Sequence, residues 1–211
     1  MAFLAPAPLL AGVPLFRDFE FGDAVAEISA QKVPLFECPH IAQGHYCAAQ
    51  KVLWLGQEMD LSFSTKAGKI TEVVLMYVQD QSVELAYKQD LIIHRALLAD
   101  YGLLWVGRGG GEELDLMQLN RSDPEEVTLQ MSRFLQQSYE RSPAFLRIWV
   151  AQKALFKLSP ELPHTPALLA SLPRGASVVR QQWLRDGTQA SGLLVFTAAG
   201  LSPTLSPSHI K

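Results

Sequence analysis

The chain has 211 residues and a formal net charge of −3, from 18 Lys and Arg against 21 Asp and Glu. That length holds one large domain or two small ones with a substantial core. The acidic balance excludes a general phosphate-binding surface, which needs a basic excess, while leaving room for a local patch. No apolar run reaches the roughly 18 residues that a membrane-spanning helix requires.

Met1 to Phe16 carries no charged side chain and is interrupted by Pro6, Pro8 and Pro14. A secretory leader places basic residues before its apolar stretch, and Arg17 comes too late for that. Two expectations follow: a cytoplasmic protein, or a mature form whose removed leader has been replaced by Met1. Phe16 to Phe21 reads as a short strand or extended lead-in. Asp23 is then an N-cap candidate for a helix through Ala24–Ile28, with Glu27 suited to the helix dipole. Val33-Pro34 ends that helix, because a proline restricts the residue before it.

Cys38-Pro-His-Ile-Ala-Gln-Gly-His-Tyr-Cys47 has symmetric spacing. With Ile41 to Gly44 as a hairpin loop, Cys38 faces Cys47 and His40 faces His45, all four on one strand face. A disulfide, a Cys2His2 zinc site and two unlinked thiols are each compatible with that pattern. Directly opposed strand residues satisfy the roughly 4.4–6.8 Å Cα separation of a disulfide. The loop is short for the usual two-arm zinc spacing. A disulfide between Cys38 and Cys47 implies an oxidising compartment, hence the periplasm, with the cytoplasm as the alternative.

Met59, Leu61 and Phe63 alternate with Asp60, Ser62 and Ser64, which predicts a strand with one apolar face. Thr65-Lys66-Ala67-Gly68 predicts a turn, and Ile70–Tyr77 a more interior return strand. Val83–Asp100 is a predicted helix with Leu91, Ile92, Arg95, Leu98 and Ala99 as its buried stripe and Gly102 as its C-cap glycine. His94 on this helix has no acid or cysteine nearby in sequence and reads as a packing or surface histidine. Leu103–Val106 predicts a strand, followed by Gly107-Arg108-Gly109-Gly110-Gly111. That run lacks the Gly-Lys-Ser/Thr ending of a phosphate loop, and Glu112, Glu113 and Asp115 after it would repel phosphate, so it reads as a flexible loop.

Ser122-Asp123-Pro124-Glu125-Glu126 is the clearest helix start, with a cap, a first-position proline and two glutamates at the positive dipole end. The helix extends to about Arg141 and buries Val127, Met131, Phe134 and Leu135. Phe145–Phe156 predicts a strand with Phe145, Arg147 and Trp149 on one side and Leu146, Ile148 and Val150 on the other. Pro160–Pro166 reads as a linker, followed by a short helix through Leu172. Val178–Leu184 and Ser191–Phe196 flank the hairpin signal Asp186-Gly187. The last third thus repeats the first: a short helix, then two antiparallel strands. Ser and Pro dominate from Ala199, which predicts a disordered tail.

The sequence contains no Gly-x-Ser-x-Gly elbow, His-Glu-x-x-His, phosphate loop or dinucleotide fingerprint. It therefore assigns no catalytic, cofactor-binding or metal-binding residue, and implies no cofactor. Glu112, Glu113, Asp115, Asp123, Glu125 and Glu126 form an acidic group. It reads as a solvated helix-start surface or, more sharply, as an acidic face offered to a basic partner such as a toxin active site.

The segment Phe19–Tyr77 resembles a motif of small bacterial proteins. Phe-Glu-Phe-Gly-Asp enters a helix, a Cys…Cys pair follows, and then comes Met-Asp-Leu-Ser-Phe-Ser-Thr-Lys-Ala-Gly-Lys-Ile-Thr-Glu-Val-Val-Leu (59–75). It looks like the helix-plus-β-meander unit of the β-lactamase-inhibitor-protein and outer-membrane assembly lipoprotein group. Similar units recur in bacterial envelope proteins and in immunity proteins that guard against type VI secretion toxins. Leu97-Leu98-Ala99-Asp100-Tyr101-Gly102 looks like the helix end that follows such a unit. The N-terminus lacks the lipobox cysteine of the lipoproteins. The resemblance implies a protein that binds other proteins rather than one that catalyses.

The expected architecture is α+β: antiparallel sheet or sheets with helices packed on one face, built from two similar helix-plus-hairpin units. Its expected divisions are a main domain (1–156), a C-terminal helix-plus-hairpin unit (157–198) and a tail (199–211). The leading functional expectation is a non-enzymatic immunity protein that binds a cognate toxin, without direct contact to nucleic acid. The alternatives are an envelope assembly or scaffold protein, and a small-ligand or metal-binding enzyme using His40, His45 or the glycine-rich loop.

Overall fold

The computed structural model describes residues 12–39, 41, 43–108, 113–115, 124–141, 144–155 and 171–201. The fold is α+β and mostly antiparallel. In chain order the strands are β1 Val13–Phe16, β2 Phe19–Phe21, β3 Leu35–Glu37, β4 His45–Ala48, β5 Val52–Trp54, β6 Gln57–Lys66, β7 Lys69–Ser82, β8 Tyr101–Arg108, β9 Glu113–Asp115, β10 Ala144–Ala151, β11 Ser177–Asp186 and β12 Gln189–Ala198. The helices are α1 Val25–Gln31, α2 Val83–Leu97, α3 Pro124–Arg141 and α4 Gln152–Leu155. β1 and β2 form a separate hairpin, and the other ten strands form one sheet in the order β3-β4-β6-β7-β12-β11-β10-β8-β9, with β5 paired to β6.

The period-two pattern places one apolar face across the whole sheet. One cross-strand row runs Phe63, Val73, Phe196, Val179, Trp149 and Leu103; the next runs Leu61, Leu75, Leu194, Gln181, Arg147 and Val106. The β1–β2 hairpin and α1 pack on this face through Phe16 against Phe196 and Phe19 against Phe63, each with ring centroids 5.0 Å apart, and through the buried Ile28. Ala86, Ile93 and Leu97 of α2 and Tyr139 of α3 join the same core. The opposite face carries a smaller core of Leu104, Ile148, Val150 and Val178 with Ala154 of α4. The alternation expected for Met59–Ser64 is present: Met59, Leu61 and Phe63 are buried and their polar neighbours are half-buried. β7 pairs with β6 and β12, which accounts for its apolar character on both faces.

The sequence misleads in several places. Asp23 does not cap α1. Its carboxylate accepts from the Glu20 N–H at 3.1 Å and pairs with Lys32 at 3.5 Å, while Ala24 takes the N-cap position and the Val25 N–H donates to the Gly68 carbonyl at 3.0 Å. The stripe expected to bury α2 is the wrong one. Ala86, Asp90, Ile93 and Leu97 are buried, whereas Ile92 and Leu98 are 44% and 48% exposed and Arg95 and Ala99 are exposed. α2 is apolar on more than one side, and its seam is fixed by a charged residue that an apolar count passes over. Gly102 lies within β8, not at a C-cap; a Cβ there would come within 2.1 Å of Leu155 Cδ1. β10 ends at Ala151, and the chain turns into α4 instead of continuing as a strand.

α3 follows the expected start and end, but among its described side chains the buried ones are Ser138 and Tyr139, and the Val127 side chain lies outside the described set. Met131, Phe134 and Leu135 are only half-buried. The Asp186 hairpin closes through the two residues Gly187 and Thr188, with Gly187 at φ +57°. That hairpin does not stand apart: β12 pairs with β7 and β11 with β10, so it lies inside the sheet. The expected linker and helix around 160–170, the Gly109–Gly111 loop and residues 202–211 of the expected tail lie outside the described residues. The tail boundary expected at Ala199 is too early, because Ala199 is buried, its carbonyl accepts from the Gly175 N–H at 2.9 Å and its N–H donates to the Ala176 carbonyl at 2.8 Å.

Candidate functional site

The Cys38–Cys47 sulfurs are bonded, with their Cα atoms 5.1 Å apart. The register differs from the expected one by two residues: Phe36 faces Cys47, Glu37 faces Tyr46, and the Cys38 N–H donates to the His45 carbonyl at 3.0 Å. The bridge is therefore diagonal across the β3–β4 pair. The loop explains the shift, because Gly44 adopts φ +89° and its carbonyl accepts from Thr65 N–H at 2.8 Å and Thr65 Oγ1 at 2.9 Å, which ties the turn to β6. With both sulfurs in the bond, neither thiolate is available to zinc. His45 Nδ1 lies 3.4 Å from Ser64 Oγ, and His40 lies outside the described residues. Among the described residues, no group of three or more His, Cys, Asp or Glu could hold a metal ion.

The acidic group is only partly described. Glu113 and Asp115 lie on β9, opposite Gly107 and Trp105, and Glu125 and Glu126 lie in the first turn of α3. Glu126 is exposed and accepts from Gln130 Nε2 at 2.6 Å. Glu112 and Asp123 lie outside the described residues.

The chemistry of this molecule is concentrated elsewhere, where α2 and α3 meet the sheet. Asp90 of α2 is completely buried. Its Oδ1 accepts from the Tyr77 hydroxyl at 2.7 Å and from Gln181 Nε2 at 2.6 Å. Its Oδ2 accepts from Arg147 Nη1 at 2.7 Å and from the Tyr139 hydroxyl. Arg147 Nη2 donates in turn to the Tyr139 oxygen, and Trp149 Nε1 donates to Gln181 Oε1 at 3.0 Å. Burial of this kind requires complete pairing, since an isolated charge in such an environment costs several kcal/mol or more. Four donors on two carboxylate oxygens meet that requirement.

Local sequence places each member. Tyr77, Gln181 and Arg147 occupy inward strand positions in line with Leu75, Val179 and Trp149. Gly192 makes room for the Tyr77 ring: a Cβ at Gly192 would lie 2.3 Å from Tyr77 Cζ. The Arg147 guanidinium lies over the Phe145 ring at 4.9 Å and the Tyr139 ring at 5.4 Å, so its charge is also met by two π faces. Burial, then the neighbouring Asp90, push the Tyr77 hydroxyl well above the usual tyrosine range, which keeps it a donor.

Above this network an open cleft of about 820 Å³ separates the two helices. Val83, Tyr87, Leu91 and His94 of α2 face Ser132, Leu135, Gln136 and Tyr139 of α3, with Arg147 and Arg185 from the sheet. His94 packs edge-on against Trp149 at 4.9 Å. Burial, and secondarily the Arg147 charge, lower its pKa to about 4, so at neutral pH it is an uncharged ring. Arg185 is held by the carbonyls of Gly187 (3.0 Å, from Nε) and Tyr139 (3.4 Å, from Nη1).

Compared with family models, curated proteins and solved structures, the chain matches none. The site therefore rests on its own geometry. The sequence reading missed Asp90, Tyr77, Tyr139, Gln181 and Arg185. A usable signal was present, because Arg147 interrupts the Phe145–Trp149 side and Gln181 interrupts the Val179–Trp183 side of strongly apolar strands. Polar residues at inward strand positions require partners. The sequence could not say that the partner comes from α2.

Proposed function

We propose that the protein is a non-catalytic protein-binding module and, within that class, an immunity protein that neutralises a cognate toxin by occluding its active site. The observation that carries this reading is the outward side of α2. Leu85 and Ile92, seven residues apart and so on one side of the helix, are 54% and 44% exposed on an element whose buried side is locked into the core. Exposed large apolar residues on a rigid element are what interface cores use, and a polar or charged rim sets partner choice. The net charge of −3 and the acidic stretch from Glu112 to Glu126 fit a basic partner surface. The ionisable groups at the cleft floor are spent on one another, which favours a structural role for them over a reacting one. The Cys38–Cys47 bond favours the periplasm as the compartment, since cytosolic disulfides are uncommon. No described helix is long and apolar enough to cross a membrane.

The test is co-expression with toxin-like reading frames adjacent to this gene in the source organism. The expected result is a stoichiometric complex and rescue of growth. Leu85→Asp with Ile92→Asp should weaken the complex at least about tenfold, as loss of a central apolar contact does, at unchanged melting temperature. No complex with any neighbouring product, together with no stoichiometric partner captured from the source organism, would sink the immunity reading.

A further inference from the structure

The outward side of α2 is complementary to itself. We propose that in the free protein α2 packs antiparallel against α2 of a second copy of this chain. The product is a weak homodimer that covers the surface a partner protein would use. That covering role rests on the proposed function; the pairing itself does not.

The apolar contacts come first. Leu85 and Ile92 share one line of the helix, about 10 Å apart along its axis, and are 54% and 44% exposed. Ala96 continues that line by a further turn, and its small side chain lets a second helix approach closely. The other side of α2 is held by the buried Ala86, Asp90, Ile93 and Leu97. The line is therefore presented without reordering of the helix, which keeps the entropic cost of association low.

The charges choose the occupant. Glu84 precedes Leu85, and Arg95 follows Ile92 on the same flank of the helix, about three turns from Glu84. Acid thus marks one end of the apolar line and base the other. Arg95 is exposed and makes no hydrogen bond or ion pair among the described residues. Glu84 is exposed and holds Lys88 at 2.8 Å through Oε1.

About a twofold axis, each residue meets the position equally far from the axis on the other copy. The midpoint of Glu84 and Arg95 lies between Gln89 and Asp90; that of Leu85 and Ile92 lies between Lys88 and Gln89. These midpoints differ by one residue, about 1.5 Å along the helix, so a single axis serves both pairs. Leu85 then packs on Ile92 of the second copy and Glu84 reaches Arg95 of the second copy, with each contact made twice. An axis perpendicular to the plane of the two helices keeps both charged flanks on the same side. The helix dipoles also run antiparallel, which is their favourable arrangement. Lys88 lies near the axis with its charge met by Glu84 of its own chain, so the two lysines do not meet unpaired. An unrelated partner has no need of charges placed symmetrically about the apolar pair, whereas a second copy does. One helix line covers less than the roughly 800 Å² per partner of a standard interface. The pairing is therefore weak, half-complete at about 10–100 µM, and a partner that covers more surface displaces it.

The experiment is sedimentation velocity on the purified full chain from about 1 µM to about 1 mM. Association that saturates at the dimer is expected, and it should weaken at high salt because exposed charge pairs are screened. Glu84→Arg and Arg95→Glu each turn both symmetric pairs into like-charge contacts, and each should weaken the dimer about tenfold. Mixed in equal amounts, the two variants restore opposite charges at both pairs, and the mixture should associate at least as tightly as the parent. Ile92→Asp, at an exposed position, should abolish association at unchanged melting temperature. The proposal is overturned by a parent that stays monomeric throughout, or by a mixture no tighter than either charge variant alone. If a charge variant does not fold, undiminished association of folded Ile92→Asp overturns it instead. A monomeric parent leaves the toxin complex to its own test, and absence of a toxin complex leaves the measured dimer standing, so the two failures are distinct.

Discussion

Two regions of this molecule are cross-linked in opposite ways. At one edge of the sheet, a covalent bond joins Cys38 and Cys47 across a sequence separation of 9. At the helix–sheet junction no covalent bond is present, yet Asp90 gathers Tyr77, Tyr139, Arg147 and Gln181 across separations of 13, 49, 57 and 91 residues. The edge link closes a short loop and changes little beyond it. The junction ties α2, α3, β7, β10 and β11 into one unit, and its energy depends on every partner being present. A local staple secures an element, whereas a buried charge network secures the relative placement of elements.

Asp90→Ala is the largest break available. It strands the buried Arg147 and removes the acceptor of two tyrosines, and should cost about 3–5 kcal/mol in urea unfolding. Replacing both charges, Asp90→Leu with Arg147→Met, should cost clearly less. A double variant no better than the single one would show that the ion pair is not the source of the loss.

Acid sharpens the comparison next. The pKa of His94 is lowered from 6.5 to about 4, so the unfolded chain binds a proton that the fold refuses between those values. Its contribution is fully present above about pH 6.5 and is lost as pH falls to about 4; with partial exposure taken into account it amounts to about 2–3 kcal/mol. His94→Gln should flatten the unfolding profile across that window relative to the parent.

Cys38→Ser should cost about 2–3 kcal/mol, the value expected from loop closure over so short a separation. Hydrogen exchange should accelerate in β3 and β4 and stay slow in β10 and β11. Equal acceleration in both regions would contradict the division drawn here. Gly192→Ala, which drives a Cβ into the Tyr77 ring, should cost about 1–3 kcal/mol. Coupling to Tyr77→Phe in a double-mutant cycle is its expected signature.

The same contrast explains what could be read from the sequence. The alternating strand Met59–Ser64, the Gly68 and Gly187 turns and the start of α3 at Pro124 follow from local periodicity and turn chemistry, and each is present, although Thr65 and Lys66, expected in the first turn, extend the strand instead. The disulfide partners could be named because only two cysteines exist, but their register was missed, since it depends on Gly44 bonding to Thr65 in another strand. The buried side of α2 was missed for the same reason at larger scale: Asp90 is inward only because Arg147, 57 residues later, is there to meet it. The cleft was not legible at all, because it is the space between two helices whose separation no local pattern encodes.

The position of β12 has a consequence for synthesis of the chain. β12 is the last described strand, yet it lies between β7 and β11, near the middle of the sheet. Until residues 189–198 have emerged, β7 presents an unpaired inner edge rich in Val and Leu, and until residues 177–186 have emerged, β10 has no neighbour on the side that β11 later occupies. Such edges are templates for pairing with other chains. The nascent protein therefore carries an adhesive β7 edge from the completion of that strand and a second one, on β10, only after residue 151, and closes both when the β11–β12 hairpin emerges and inserts.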